Sequence, residues 1–504
     1  ISQLARILLQ RCGGELSFRD RRMLRRFIRS ERSPVGFIWL SARSLRPMFG
    51  KNETLGAERI VRNGILWRYA VTAVGLGRSK PIEGLNYDAS LPAASQAVKG
   101  SEIEHPNTLG MARLIRPLEF TVTEDAPERV NLLIPTVELK HFFGGYITKF
   151  NLARKLAQSG VRTRILTVDD TPQLPRDWRE QVEAYAGLEG MFDEVEIAFA
   201  RDHDAPVEIN PNDRFIATTW WTAHIADAAV RLTSRERFLY LIQEYEPFTH
   251  PMGSWAALSM STYEMPHVAM FSTELLRKYF AENGYGVFAE GLEQGRRHSM
   301  SFQNAITAVD PPPVEVLAAR KTRKLLFYAR PEAHGARNMF ELGLLGLSQA
   351  IQQNVFGPKW EFFGIGAVES GDRIGLGGGA HRELLKRQKQ GSYGKLLGEH
   401  DVGLALMCTP HPSLVPLEMA SAGLITVTNS FETKTADEMS ALSANLITVP
   451  PSLKGVVEGL EVAVGRSEEF DERVRNSRVE WSRDWEESFG PKVVESIVEL
   501  LDAT

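Results

Sequence analysis

The sequence predicts an α/β protein: two doubly wound domains facing a cleft, preceded by a mainly helical N-terminal extension. Three observations carry this reading. From about Val130 onward, apolar runs of strand length alternate with helical stretches that carry an apolar stripe. Three successive prolines, Pro311 to Pro313, interrupt the alternation once, as a linker between domains does. A chain of 504 residues is also longer than one core organises.

From the N-terminus, the stretch "RDRRMLRRFIRSER" predicts a basic helix with Met23, Leu24, Phe27 and Ile28 on one side. Such a helix either packs on the protein or lies against anionic lipid head groups as a peripheral membrane contact. Residues 79–110 read as a loop, and "GMARLIRPLEFTVTED" as a strand region leading into the first domain. "VNLLIPTV" is a buried strand. The helix "YITKFNLARKLAQSG" comes after it, with Ile147, Phe150, Ala153, Leu156 and Ala157 on one face and Gly160 as its stop. "RTRILTV", "EVEIAF", "DRFIATTWW", "FLYLIQEY" and "HVAMFS" are further strands, separated by helices such as "TAHIADAAVRL" and "STELLRKYFAENG". After the prolines a second series begins with "KLLFYAR", the helix "ARNMFELGLLGLSQAI", "KWEFFGIG", "VGLALM", "SLVPLEMASAG" and "LITVTN". The expected boundaries are 1–128 for the extension, 129–308 and 309–480 for the two domains, and 481–504 for a C-terminal helix packing back across the cleft.

Composition narrows the function. The chain is 43% hydrophobic and 24% charged with a net charge of −4, so no basic balance points to nucleic acid. Cys12 and Cys408 are its only cysteines, which excludes a disulfide framework and fits a reducing compartment. No apolar run reaches the length of a membrane span, and arginines among the first residues argue against a signal peptide. The first residue is Ile1, not Met, which leaves room for a segment upstream.

Several constellations stand at predicted strand ends. Gly144 and Gly145 separate a strand from a helix, either for a tight turn or so that a ligand can approach the backbone. Arg330 ends a strand, and Arg337 and Asn338 open the next helix; a helix start with guanidiniums beside it suits a phosphate, although surface arginines would read the same way. Ser413 and Leu414 begin a helix with Glu418 one turn on, so that amides can hold phosphate while the carboxylate accepts a sugar hydroxyl, or merely complements the helix dipole. Trp220, Trp221 and His224 follow the strand "DRFIATT", and Glu244 and Glu246 follow another. Asp202 and Asp204 have the Asp-x-Asp spacing of a divalent-metal site, against the plainer reading of a solvated loop.

Taken together, the strand–Gly-Gly–helix, the strand–Arg–helix and "PLEMASAGLITVTN" resemble the GT-B glycosyltransferases, whose fold is two Rossmann-like domains facing a cleft. The likeness is to the retaining, family 4-like class whose donor site has two glutamates separated by seven residues. "FYARPEAHGARNMFELGLLGL", "TTWWTAH" and "LIQEYEPFTHPMGS" resemble the WsaF-type rhamnosyltransferases of bacterial surface glycan assembly. The resemblance covers about Val130 to the end.

The resemblance implies a metal-independent glycosyltransferase; a cytoplasmic place is expected, with the inner face of the membrane as the alternative if the basic N-terminal helix lies on lipid. It implies an acceptor-side first domain, a nucleotide-sugar second domain and no cofactor. The expected donor is dTDP-rhamnose and the acceptor a glycan or lipid-linked glycan. By position, Glu418 matches the glutamate that holds the donor ribose. Its companion falls at Pro410 and is absent, so recognition of the donor sugar must differ here. Ser413 and Leu414 match the backbone donors to the diphosphate, Arg330 matches the diphosphate arginine, and Arg337 or Asn338 replaces the usual lysine. Gly144 and Gly145 match the glycine loop of the first domain. His224 falls near a histidine that contacts the donor sugar in related enzymes, and Glu244 lines the cleft; these two are the candidate catalytic residues. Three rivals stand beside this: a nucleotide-sugar epimerase of the same architecture, a nucleotide- or glycan-binding protein without turnover, and, more weakly, a dehydrogenase, since "FFGGYI" lacks the G-x-G-x-x-G spacing.

Overall fold

The computed structural model describes residues 106–504, except 140, 141, 143, 203–205, 308, 367–372, 378, 379 and 385–389. The predicted basic helix around Met23 and the residue Asp204 lie outside the described residues.

The strands of the first half are β1 (Phe120–Val122), β2 (Val130–Ile134), β3 (Thr163–Thr167), β4 (Glu196–Phe199), β5 (Val207–Ile209), β6 (Arg214–Ala217), β7 (Phe238–Ile242), β8 (His267–Phe271) and β9 (Ser299–Ser301). Those of the second are β10 (Arg323–Tyr328), β11 (Trp360–Ile365), β12 (Arg373–Gly377), β13 (Ala380–Leu384), β14 (Val402–Leu404), β15 (Ile425–Asn429) and β16 (Leu446–Val449). Two seven-stranded sheets result, ordered β4-β3-β2-β6-β7-β8-β9 and β12-β13-β11-β10-β14-β15-β16. All pairings in the first are parallel; in the second only the edge pair β12–β13 is antiparallel. Leaving out the outermost strands β9 and β12, each sheet has the 3-2-1-4-5-6 order of the Rossmann fold. Each therefore reverses direction once, between β2 and β6 and between β10 and β14. A crevice opens at the carboxyl ends of the strands at such a reversal.

Two expectations are corrected. The stretch before the first domain is a helix, α1 (Pro106–Ile115), followed by the short strand β1, which pairs with β5 apart from the main sheet. Proline at the first helical position suits this start, and the helix takes in the end of the predicted loop. The strand "DRFIATTWW" stops at Ala217. Helix α2 (Gly145–Gln158) lies between β2 and β3, and Trp220 and Trp221 open helix α3 (Trp220–Val230), which follows β6. The hydroxyl of Thr222 accepts from the backbone N–H groups of Thr218 and Thr219 at 2.8 and 2.9 Å, which turns the chain into α3.

Parallel strands buried on both faces read as continuous apolar runs, and β2, β3, β7 and β8 are buried along their whole length. Helix α2 covers β2 and β3 with Phe150, Ala153 and Leu156, and Phe142 sets its ring edge-on to Phe150 at 4.9 Å. Gly160, at φ +90°, ends the helical segment where the sequence places the stop. In the second domain α4 (Phe340–Gln352) lies between β10 and β11, and α5 (Leu414–Ser421) between β14 and β15.

Two segments cross between the domains side by side. Ile306 N–H donates to Ser482 O at 3.0 Å, and the Trp481 indole N–H to Asn304 O at 2.7 Å. Beyond the second crossing, helix α6 (Pro491–Asp502) returns to the first domain. Its Val494, Ile497 and Leu501 join the core formed by Leu156, Leu239 and Val268, and Lys155 on α2 pairs with Glu486.

Candidate functional site

The site is built from the segments just past the strand ends at the two reversals. On the first domain, Gly144 has φ +46° and ψ −111°, a backbone state that L side chains rarely adopt. Its carbonyl accepts from both the N–H and the hydroxyl of Thr148 at 3.1 Å. Gly145 meets the end of β7: its carbonyl accepts from the Gln243 amide at 3.2 Å, and an added Cβ would stand 3.1 Å from Gln243 Oε1. The turn needs the first glycine and the neighbouring side chain crowds the second. Helix α2 starts without a side-chain cap.

Beside this loop, Glu246 Oε2 accepts from Trp220 N–H at 2.8 Å and so closes the start of α3. Burial pushes the Glu246 carboxyl up to about 7, against this hydrogen bond and the attraction of Lys149. Burial likewise pushes Lys149 down to about 8, while its ammonium sits 4.8 Å above the Tyr146 ring.

The Glu246 shift makes a signed prediction. Its folded value lies above the ordinary 4.5, so its contribution to stability is complete below about 4.5 and is lost as the pH rises through about 7. Glu246→Gln keeps an acceptor for Trp220 and removes the titration. Chemical denaturation between pH 4.5 and 7 should show wild type losing stability relative to this variant; parallel curves would show that Glu246 does not titrate in that window.

His224 lies within α3, edge-on to Trp220 at 6.0 Å and near the Leu258 carbonyl, in a cluster with His250 and Trp255. Burial lowers its pKa. The charge that acts on it is that of Asp227.

On the second domain, Arg330 lies two residues past β10 and is buried, donating to Glu332 at 3.2 Å and to the Tyr328 hydroxyl at 3.4 Å. Gly366, at φ +108°, makes room for it: a Cβ there would meet the Tyr328 ring at 2.7 Å and Arg330 Cδ at 3.1 Å. Arg337 and Asn338 do not open the next helix. They lie in a 3₁₀ turn (Ala333–Asn338), and Met339 at φ +47° separates this turn from α4. Asn338 donates to Gly335 O at 3.0 Å, and Cys408 N–H donates to Arg337 O at 2.8 Å, which ties the turn to the end of β14.

Ser413 and Leu414 start helix α5 as expected, with Ser413 at φ +67°. The Ser413 N–H donates to His411 Nδ1 at 3.0 Å, and His411 Nε2 lies 3.5 Å from the Ser272 hydroxyl of the first domain. Burial, with Lys434 and Arg337 nearby, pushes His411 down to about 3, so it is a neutral ring. Glu418 is buried one turn into α5. Its Oε1 accepts from Thr307 N–H in the interdomain crossing and its Oε2 from the Tyr393 hydroxyl, both at 3.0 Å. Burial raises its pKa.

The two halves meet at Glu244. Its Oε1 lies 4.0 Å from Arg337 Nε, and Lys434 faces it from the end of β15. Lys434 is fully buried, donates to Met407 O at 2.7 Å, and is pushed down to about 7 by burial. Sequence reasoning missed Lys434, His411 and Gln243. Gln243 directly follows β7, whereas His411 and Lys434 stand seven and five residues beyond β14 and β15, in loops whose course the strand pattern does not reveal. The site thus joins Glu244 to Arg337, with Arg330 two residues past β10 and Ser413 and Leu414 at the start of α5, which follows β14. Among the described residues, no group of three or more His, Cys, Asp or Glu side chains is placed to hold a metal, and no helix is long and apolar enough to cross a membrane.

Comparison with known proteins adds three findings. Residues 129–274 match the family model for the WsaF N-terminal domain and residues 323–461 that for the WsaF C-terminal domain, together more than half of the chain. The O-antigen biosynthesis protein RfbC of Myxococcus xanthus is 28% identical over 326 residues, which are 64% of this chain and 23% of that protein, so the chain spans about a quarter of its relative's length. Among solved structures, HepE of Anabaena in complex with UDP-glucose superposes with a TM-score of 0.50 at 12% identity, over 75% of this chain and all of that one, a likeness of fold.

Proposed function

Because this chain belongs to the WsaF family of GT-B glycosyltransferases, we propose that it transfers rhamnose from dTDP-rhamnose to a growing bacterial surface glycan, the acceptor being a glycan or lipid-linked glycan. The observation that carries this is the approach of Glu244, just past β7 of one Rossmann-ordered sheet, to Arg337 of the other, with Arg330 and the start of α5 on the same second domain. The likeness to RfbC, an O-antigen biosynthesis protein, supports the surface-glycan acceptor. The motifs "TTWWTAH" and "LIQEYEPFTHPMGS" support the rhamnose donor.

In this reading the departing diphosphate takes up negative charge as the glycosidic bond breaks. Arg330, Arg337 and the first amides of α5 are the groups that would stabilise that charge. Glu418 lies one turn further along α5, on the ribose side. Neutralisation by side chains and amides makes the reaction metal-independent.

The test is a thermal-shift panel of dTDP, UDP and GDP in excess EDTA, followed by donor turnover with the same additive. A ligand at a hundred times its Kd stabilises by about 2.7 kcal/mol, which is readily measured. Binding and turnover in EDTA are expected. Stabilisation by none of the three would sink the proposal, and turnover that returns only with Mn²⁺ would favour Asp202 and its loop.

A further inference from the structure

Lys149 carries a charge for which folding gives no reason. It stands in the second turn of α2 and is only 5% exposed, yet its ammonium makes no hydrogen bond or ion pair among the described residues. Helical side chains lean toward the N-terminus, and this one reaches back over the Tyr146 ring, 4.8 Å from its centre, in the first turn. The positive end of a helix disfavours a cation, and so does burial, which pushes Lys149 down to about 8. A lysine kept against both effects marks a place where a negative group is to be sought.

The same corner supplies the rest of an anion site. The first N–H groups of α2 have no intrahelical acceptor, and no side chain caps them. Thr136, two residues past β2, has a buried hydroxyl without a partner, and its backbone meets the Tyr146 hydroxyl. Two carboxyl groups limit the charge that fits. Glu246 and Asp169 both act on Lys149, and burial pushes them up to about 7 and about 6. A dianion would be repelled by both as they ionise, whereas a single negative charge is matched by one ammonium. Arg337 acts on Glu246 but not on Lys149, so this carboxyl separates the corner from the cations assigned to the diphosphate.

We propose that the start of α2, Lys149 and Thr136 together hold a singly charged group of the acceptor, the carboxylate of an acidic sugar or a phosphodiester of the glycan. The chain would then extend an acidic glycan. The glycosyltransferase reading enters only in calling this ligand the acceptor; the anion site stands on the geometry of α2.

The experiment is ligand-observed NMR titration of wild type, Lys149→Met and Thr136→Val with glucuronate, dimethyl phosphate and glucose, beside calorimetric titration with dTDP and UDP. Wild type should bind one of the two anions at least about tenfold more tightly than glucose, and Lys149→Met should lose that preference, as expected when a charge-assisted bond is removed. Which anion binds identifies the source. Thr136→Val should lose part of the preference, and it decides the question should Lys149→Met fail to fold. Lys149→Met should keep its affinity for the nucleoside diphosphate within about twofold, since the two cationic places are separate. It should also melt at or above wild type, because an unpaired buried cation does not stabilise the fold. A lower melting temperature with the preference intact would overturn the proposal and make Lys149 structural. No preference for either anion in wild type would overturn it too. Equal losses for the anion and the nucleoside diphosphate would overturn it by giving Lys149 to the donor. If wild type binds an anion through Lys149 but no nucleoside diphosphate, the glycosyltransferase reading falls, and with it the assignment of this anion to an acceptor.

Discussion

Arg330→Ala is expected to lower affinity for the nucleoside diphosphate about tenfold to a hundredfold while leaving the protein folded, since a hydrogen bond to a charged group contributes roughly 1.5–3 kcal/mol. The side chain is placed for this by covalent neighbours and by packing. It lies two residues past β10, Gly366 clears the space beside it, and Glu332 and Tyr328 hold its guanidinium at 3.2 and 3.4 Å. These contacts reduce the orientational freedom that binding would otherwise remove. Truncation leaves the Glu332 carboxylate without this cation, which adds repulsion toward a diphosphate. Titration with dTDP and UDP, with the melting curve as a fold control, measures the effect. Wild-type affinity in a folded variant would remove Arg330 from the site.

Asp401→Ala should destabilise the protein by about 3–5 kcal/mol, the range for removing one partner of a buried ion pair. Asp401 and Arg473 are both wholly buried, with Asp401 Oδ1 3.1 Å from Arg473 Nη1 and 2.9 Å from Arg320 Nη1. Its second oxygen accepts from Lys324 N–H at 3.0 Å. One carboxylate therefore joins β10, the start of β14 and the helical segment Phe470–Arg475. Without it, the Arg473 charge stays in the interior, held by the carbonyls of Gly423 and Ser467. Urea denaturation of wild type, Asp401→Ala and Asp401→Asn measures the loss, and Asn, which keeps one acceptor, should fall between. A loss below about 1 kcal/mol would mean that those carbonyls suffice.

These two residues differ in how far the sequence reveals them. Arg330 is legible because it follows an apolar run and precedes a helical one, and a strand end beside a reversal is a ligand position. Asp401 is not legible: "GEHDVGLALM" shows an acid before a strand and nothing of Arg473, which is 72 residues away. Trp220 and Trp221 read as strand because the apolar run continues through them. The turn into α3 depends on one hydroxyl, that of Thr222, which capping patterns with Glu or Gln do not reveal. Arg337 and Asn338 resemble the start of a helix because nothing in "ARNMFELG" announces a left-handed methionine.

The sequence by itself determined the two successive α/β series, most strands, the helix after Gly145, the start of α5 and the family likeness. These are local properties: periodicity, glycine conformation and strand length are set by residues a few positions apart. Tertiary structure alone decided that Glu244 faces Arg337, Lys434 and Thr409, that Glu418 grips the crossing at Thr307, and that His224 stands apart with Trp220. Those partners come from opposite sheets or distant loops. They meet because each sheet reverses once and the chain crosses twice between the domains, an arrangement that depends on strand order and domain packing, which no short stretch encodes.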